Sequence, residues 1–155
     1  MQCVTVSGST EKQIHEFNKA TFRDELQRRV LLSMNEEIAD QPESRTADGY
    51  KIHMELLSKR FKSNGRQTVY TNFMIGQCLY ELKQIYHGNK KLLIFATTHL
   101  FTISYVYFLI DLFNFATTYY RISRISLPLA VVRRKFKLIK EIVNEDEDFW
   151  MNGYE

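Results

Sequence analysis

The chain is poor in cysteine, proline and grouped glycine. Its two cysteines, Cys3 and Cys78, lie far apart, and its six glycines are separated from one another along 155 residues. Zinc sites and disulfide frameworks need several cysteines, or cysteine with histidine, at short spacings, and phosphate-binding loops need clustered glycines. The sequence therefore predicts no metal site and no nucleotide-binding loop. With so few cysteines, a reducing compartment is expected.

Recognisable catalytic patterns are absent as well. His15, His53, His87 and His99 are dispersed, and no two of them stand four residues apart, which is the spacing of a helical metal site. No serine or cysteine lies next to a base and an orienting acid in the sequence. We therefore expect a non-enzymatic protein without a cofactor.

The beginning of the sequence lacks the features of a targeting segment. Residues 1 to 13, MQCVTVSGSTEKQ, have neither a basic region nor an apolar run, so no cleaved signal peptide is expected. Residues 12 to 34 alternate acids with bases, which is atypical of a mitochondrial presequence. Any insertion into a membrane would then depend on an internal segment.

Glycine and proline are also missing from residues 89 to 127, and this stretch holds the most apolar part of the chain. Residues 92 to 110 (LLIFATTHLFTISYVYFLI) contain no Asp, Glu, Lys or Arg. Their mean hydropathy is roughly 1.8, within the range of membrane spans. A helix of this length, at about 1.5 Å per residue, matches a hydrocarbon core of about 30 Å. The stretch therefore predicts one long apolar helix over about 91–120, interpreted as a membrane span.

Polar side chains in and after this stretch recur at intervals of seven and of three or four residues. That spacing places them on one face of a helix. They are Thr97, Ser104, Tyr107, Asp111, Asn114 and Thr118. A carboxylate that faces lipid costs at least a few kcal/mol, so Asp111 should face protein instead. This polar stripe therefore predicts a helix–helix contact with a partner.

Two other interpretations of the apolar stretch remain open. A helix that is apolar nearly all round is also typical of the buried centre of a soluble helical bundle. A re-entrant or interfacial hairpin is the third interpretation, although a hairpin usually has glycine or proline at its apex.

The region before the apolar stretch, residues 1–90, predicts three helices. The first begins at Thr10 and continues with apolar residues at helical spacing to Ile38. The second ends at Asn64. The third covers residues 67–87 and is closed by Gly88, which is suited to the left-handed conformation common after helices.

Charge is segregated in the last part of the chain. Residues 121–140 contain seven bases and no acid, whereas residues 141–155 contain six acids and no base. The pattern predicts an amphipathic helix over about 127–144. Its predicted lipid-headgroup contacts are Arg133, Arg134, Lys135 and Lys137. The alternative is a solvated face of a helix packed on the protein. Nucleic acid is an unlikely partner, because the acidic tail would compete with phosphate.

Two short segments resemble the homology regions of Bcl-2-type apoptosis regulators. They are residues 55–73 (ELLSKRFKSNGRQTVYTNF) and the later run FWMNGY, which includes Trp150. The resemblance covers under a fifth of the chain, and Asn64-Gly65-Arg66 lacks the tryptophan that the family places within this step. It implies a soluble helical bundle with a buried central helix. Trp150 is otherwise expected to anchor at a membrane interface or to dock on a partner.

The sequence as a whole predicts an all-α protein with an N-terminal helical region (1–90), an apolar helix (91–120) and a basic amphipathic helix with an acidic tail (121–155). The leading hypothesis is a small membrane-anchored accessory or scaffold subunit of a larger membrane complex. Its place would be an intracellular membrane, such as the mitochondrial inner membrane or the endoplasmic reticulum. Its partners would be other membrane subunits or a partner helix, and anionic lipid. The alternative is a soluble all-α protein-interaction module.

Overall fold

The structure is a computed structural model that describes residues 8–31, 41–64 and 69–151. Within these residues helices are the only regular elements besides one isolated β-bridge, which confirms the predicted all-α class. The elements are α1 (Gly8–Arg28), α2 (Ala47–Asn64), α3 (Val69–Ile85), α4 (Lys90–Thr97), α5 (Ile103–Thr118), a 3₁₀ helix (Tyr120–Arg124), α6 (Leu129–Arg134), α7 (Phe136–Glu145) and α8 (Glu147–Met151). Their apolar faces contribute to one hydrophobic core.

Helix α1 is shorter than predicted. It begins two residues before Thr10 and ends at Arg28, and the predicted end at Ile38 lies outside the described residues. The backbone leaves the helix because it pairs with a distant segment: Val30 and Ile125 form an isolated antiparallel bridge. The adjacent backbone hydrogen bond from Leu31 N to Arg124 O is 3.0 Å long. A tertiary contact, rather than local propensity, therefore sets this helix end.

Helices α2 and α3 follow the predicted pattern closely. Helix α2 is described up to Asn64, the predicted end, and α3 (Val69–Ile85) lies within the predicted range 67–87. After α3 the φ angle of Gly88 is +74°, and its N–H donates to the carbonyl of Lys83 at 2.9 Å. The prediction that Gly88 takes the left-handed conformation is confirmed, since such a bond satisfies a carbonyl left over at the helix end.

The predicted single helix over 91–120 is wrong, because the chain forms two helices there. Thr97 ends α4, and its hydroxyl donates to the carbonyl of Leu93 at 2.8 Å. Thr102 then begins α5 in an extended conformation and accepts a hydrogen bond from the backbone N–H of Tyr105 at 3.3 Å. Threonine hydroxyls compete in this way with helical backbone bonds, and they can cap a helix without glycine or proline.

This division removes the basis for the predicted membrane span. Helices α4 and α5 are about 12 and 24 Å long at about 1.5 Å per residue, against a hydrocarbon core of about 30 Å. Among the described residues, no helix combines the length and the apolar character needed to cross a bilayer. The transmembrane interpretation of residues 92–110 is therefore not supported.

Helices α3 and α5 form the centre of the fold and run parallel to each other. The hydroxyl of Tyr105 donates to Asn72 Oδ1 at 2.9 Å, and the ring centroids of Phe113 and Tyr80 lie 5.3 Å apart. From the first pair to the second, the residue number rises on both helices, from Asn72 to Tyr80 on α3 and from Tyr105 to Phe113 on α5. Because parallel neighbours need a connection that returns along the bundle, α4 and residues 98–102 supply the crossover between them.

The predicted amphipathic helix over 127–144 is divided at Lys135 into α6 and α7. Its apolar face, which includes Leu129, Val132, Phe136, Ile139 and Val143, is buried in the protein, as in the alternative interpretation that packs this helix on the fold. Trp150 on α8 is fully buried, and its ring packs edge-on against Phe149 with centroids 4.9 Å apart. The expected surface role of Trp150 is therefore wrong, and its indole contributes to the core.

Candidate functional site

The polar stripe predicted from the sequence lies mostly on the outer face of α5. Ser104, Asp111, Asn114 and Thr118 are exposed, and Tyr107 is half-buried. Thr97 is the exception: it is buried at the end of α4, where its hydroxyl bonds to its own helix. The structure thus brings together four exposed members of the stripe along one helix, with Tyr107 at its edge.

Two basic residues from neighbouring helices border the polar stripe. Arg133 of α6 donates through Nη2 to Ser104 Oγ at 3.0 Å, and Lys90 of α4 lies 5.7 Å from the ring centroid of Tyr107. Asp111 forms no ion pair or side-chain hydrogen bond within the described part of the chain. Its carboxylate is therefore available to a group from outside the molecule, and the contact with a partner helix stays a prediction.

Exposed apolar side chains form a second surface next to α4. Phe95 is 84 % exposed, Ile52 64 %, Leu92 48 % and Leu56 42 %. We call these four residues the α2–α4 surface. Contiguous apolar patches on a folded protein usually mark interaction sites, whereas single exposed apolar residues are ordinary.

A hydrogen bond connects α2 with the turn that follows α4. His99 Nε2 lies 3.1 Å from Glu55 Oε1, across 44 positions in the sequence. Glu55 neighbours Leu56 on α2, and His99 follows Phe95 by one helical turn. This contact places the turn that follows α4 near α2. The sequence interpretation assigned Leu92 and Phe95 to lipid and did not detect the contact between Glu55 and His99, because no local signal reports a contact over this separation.

The basic block between residues 121 and 140 packs largely on aromatic rings. Cations lie 4.5 to 5.2 Å from ring centroids in the pairs Arg121–Phe149, Arg124–Tyr120, Arg133–Tyr105, Lys135–Phe22 and Lys140–Phe136. A cation over an aromatic face is attracted by the ring quadrupole, by about 0.5 to 2 kcal/mol depending on exposure. These pairs explain how the fold accommodates a block of bases that contains no acid.

The four predicted headgroup residues do not share one face. Arg133, Arg134 and Lys137 are exposed, and the two arginines line a shallow depression of about 470 Å³ together with Tyr105, Leu129 and Ala130. Lys135 is half-buried, and its Nζ lies 4.6 Å from the ring of Phe22 on α1. The structure thus groups Arg133 with Arg134 and directs Lys135 toward α1.

The acidic residues that follow are turned toward other parts of the fold. Glu145 Oε1 lies 2.6 Å from Lys19 Nζ on α1, and Glu141 lies 3.4 Å from His15. The hydrogen bond that Lys19 donates to Glu145 raises the pKa of Lys19 above its usual value. These carboxylates therefore fasten α1 to α7, rather than neutralising Arg133 and Arg134.

A small cavity of about 140 Å³ lies between residues 41–46, α2 and α3. Its lining includes Arg45, Tyr50, His53, Tyr70, Phe73 and Glu81. These residues are separated in the sequence and form no recognised motif, so sequence reasoning did not detect them. The lining thus combines charged, polar and aromatic side chains.

Electrostatics in the cavity favour binding over nucleophilic chemistry. Burial raises the pKa of the Cys78 thiol to about 12, so the thiol stays protonated at neutral pH and is a poor nucleophile. Burial also raises the pKa of Tyr50; the carboxylate of Glu81 adds to this rise, and the guanidinium of Arg45 opposes it. The charges of Glu81 and Arg45 therefore both act on the buried phenol of Tyr50.

The described residues contain no group of three metal-ligating side chains that could hold an ion. Comparison with known proteins adds no relative: no family model, no curated protein and no solved structure matches this chain. The functional argument consequently depends on the surfaces and the cavity themselves.

Proposed function

We propose that this protein is a non-enzymatic accessory or scaffold protein that binds an amphipathic helix of a partner protein on its α2–α4 surface. The observation that supports this proposal is the exposure of Phe95 on α4 and of Ile52 on α2, together with the hydrogen bond between Glu55 of α2 and His99 in the turn after α4. Leaving large apolar side chains in water forgoes about 1.5 to 3 kcal/mol for each, and this free energy becomes available when a partner covers them. The α2–α4 surface is therefore a part of the protein that gains from association.

The spacing of these residues suits a helix as the occupant. Ile52 and Leu56 are four residues apart, and Leu92 and Phe95 are three apart, so each pair forms a short row on its helix. An amphipathic helix presents apolar side chains at the same intervals and packs them into such a surface. The hydrogen-bonded pair of Glu55 and His99 offers polar partners to that helix.

The polar stripe of α5 extends the proposed interface. Lys90 contacts Tyr107, which places the start of α4 beside the stripe. Asp111 would then pair with a base or hydroxyl of the partner, since an exposed carboxylate adds specificity to an interface with an apolar centre. In this arrangement Phe95 supplies affinity and Asp111 supplies orientation.

The test is a cross-linking experiment followed by a binding measurement. A photoreactive residue at position 95 should capture a discrete protein in cells of the source, and the cross-linked segment should be an amphipathic helix. A synthetic peptide of that segment should bind Phe95→Ser at least about tenfold more weakly than the parent protein. Phe17→Ser is the matched control, because Phe17 is 72 % exposed on α1, outside the α2–α4 surface. Equal loss in both variants, or a cross-link to a second copy of this chain, would refute the proposal.

Attachment to an anionic membrane surface is a second candidate function. It is favoured by the exposure of Arg133, Arg134 and Lys137 with the nearby carboxylates engaged elsewhere. Because the apolar face of α6 and α7 is buried, only the bases would contact headgroups. Each base near an anionic leaflet contributes on the order of 1 kcal/mol.

This second candidate is tested with the full chain and vesicles. The protein should bind phosphatidylserine-containing vesicles and leave phosphatidylcholine vesicles unbound, and salt should release it. Arg134→Gln with Lys137→Gln should weaken this binding, whereas Lys59→Gln with Lys91→Gln, the same charge change elsewhere on the surface, should not. Binding that is the same for both vesicle types would exclude headgroup recognition.

A further inference from the structure

We infer that the cavity between residues 41–46, α2 and α3 is a binding site for a small zwitterion of the α-amino acid class. This site is separate from the α2–α4 surface and from the basic residues of α6, so it goes beyond the proposed function. The inference depends on the two charges that line the cavity, on its apolar wall and on its size.

The charges at the cavity are of opposite sign, and both are available to a ligand. Arg45 is exposed at the cavity, and Glu81 is half-buried on α3. Their opposed effects on the hydroxyl of Tyr50 place both within electrostatic reach of the same buried group. Within the described part of the chain neither forms an ion pair or a side-chain hydrogen bond. A carboxylate can therefore pair with Arg45, and an ammonium with Glu81.

The apolar wall accommodates a short side chain. Tyr70 and Phe73 lie along α3 with ring centroids 6.2 Å apart, and Met74 follows them in the lining. The cavity volume of about 140 Å³ is close to that of an engineered cavity, about 150 Å³, that takes up one benzene molecule. This volume suits an amino acid with a small aliphatic side chain.

Local hydrogen bonds hold the segment that carries Arg45. Thr46 accepts from the backbone N–H of Tyr50 through its carbonyl at 3.0 Å, and from the N–H of Gly49 through its hydroxyl at 3.1 Å. Ser44 Oγ lies 2.8 Å from the Thr46 hydroxyl oxygen. A Cβ atom on Gly49 would overlap the carbonyl of Ser44, so the segment packs directly on the first turn of α2. The cavity is thus largely formed before a ligand arrives, which lowers the entropic cost of binding.

The experiment compares three molecules of the same shape on the full-length protein by calorimetry and by NMR. L-leucine carries both charges, isopentylamine lacks the carboxylate, and 4-methylpentanoate lacks the ammonium. Leucine should bind at least about tenfold more tightly than either analogue, since each analogue leaves one protein charge without its partner. Glycine and methionine complete the series for side-chain size.

Two variants assign the charges, and a third controls for net charge. Arg45→Gln should bring the affinity for leucine down to that for isopentylamine, and Glu81→Gln should bring it down to that for 4-methylpentanoate. Lys59→Gln, a change on the exposed side of α2, should bind leucine like the parent protein. Equal binding of the three molecules, no binding of any amino acid up to about 10 mM, or identical behaviour of all three variants would overturn the inference. Phe95→Ser should leave leucine binding intact, so the two proposals fail separately.

Discussion

Gly76 on α3 faces the backbone of Leu109 on α5 at a distance that leaves no room for a side chain. A Cβ atom built on Gly76 would overlap the Leu109 carbonyl oxygen and would lie 3.0 Å from the Cβ of Phe113. Because the obstacle is backbone, no side-chain rotation can relieve it. The close contact of the two central helices therefore depends on glycine at this position.

The first prediction is that Gly76→Ala destabilises the fold. Helices α3 and α5 would have to separate, and overpacking of this kind typically costs about 1 to 3 kcal/mol, more than alanine gains in helix propensity. Urea unfolding monitored by circular dichroism measures the difference. Gln77→Ala, at the next and exposed position, is the control and should change the free energy of unfolding by less than about 0.5 kcal/mol. A Gly76→Ala protein as stable as the parent would show that the helices are not in contact there.

The second prediction concerns the alkaline titration of Tyr105. Burial raises the pKa of its phenol to about 12, although Arg133 nearby opposes this shift. In the folded protein Tyr105 should therefore ionise only at about pH 12, and Tyr105→Phe should remove this late step from the ultraviolet titration. The raised pKa stabilises the fold below the unfolded value of about 10. This contribution should disappear as the pH rises from about 10 to about 12. A titration that Tyr105→Phe leaves unchanged would contradict the buried position of this ring.

The third prediction tests the attachment of α1 to α7. Lys19 donates to Glu145 at 2.6 Å, and this bond raises the pKa of Lys19 above 10.5. The stabilisation is complete below the unfolded pKa of the lysine and is lost as the pH rises through the higher folded value. Glu145→Gln should therefore lower stability at neutral pH, and its difference from the parent protein should shrink in strong alkali. Asp148→Asn, another acid of the same region, should show no such dependence.

The fourth prediction separates binding from folding at Asp111. Since this carboxylate is exposed, Asp111→Leu should change the free energy of unfolding by less than about 0.5 kcal/mol. It should nevertheless weaken association with the partner that the cross-link at position 95 identifies. Asp111→Asn should be milder, because an amide still forms hydrogen bonds. Asp24→Leu on α1 is the matched control. If Asp111→Leu bound the partner as tightly as the parent protein does, the polar stripe would not contribute to binding.

The sequence was sufficient for the parts of the fold that local physics controls. The three- and four-residue periods predicted which faces of α3 and α7 are buried, including Leu79 and Ile139. The helix closure at Gly88 was predictable because glycine adopts a positive φ at little cost. These features depend on residues within one or two helical turns.

The error over residues 91–120 has an identifiable cause. Mean hydropathy weighs each side chain by its transfer free energy and ignores the hydrogen bonds that a side-chain hydroxyl forms with the backbone. Thr97 and Thr102 are nearly neutral on such a scale, yet Thr97 is the last residue of α4 and the hydroxyl of Thr102 caps the first turn of α5. The break also explains Thr97, which was placed on the stripe of α5 but belongs to α4.

The candidate sites were only partly predictable. The stripe from Ser104 to Thr118 was visible because it lies on one helix. The pairing of Glu55 with His99, and the cavity shared by Arg45 and Glu81, join segments that are distant in the sequence. Side-chain periodicity contains no information about such contacts.

The bridge between Val30 and Ile125 attaches the end of α1 to the fold through backbone hydrogen bonds, which do not depend on side chains. The N–H of Leu31 donates to Arg124 O at 3.0 Å, and the N–H of Ser126 donates to Arg29 O at 2.7 Å. These two amide protons exchange with solvent only when the bridge opens. Their deuterium uptake therefore reports the detachment of the N-terminal helix while α3 and α5 remain protected, and so distinguishes partial opening from global unfolding.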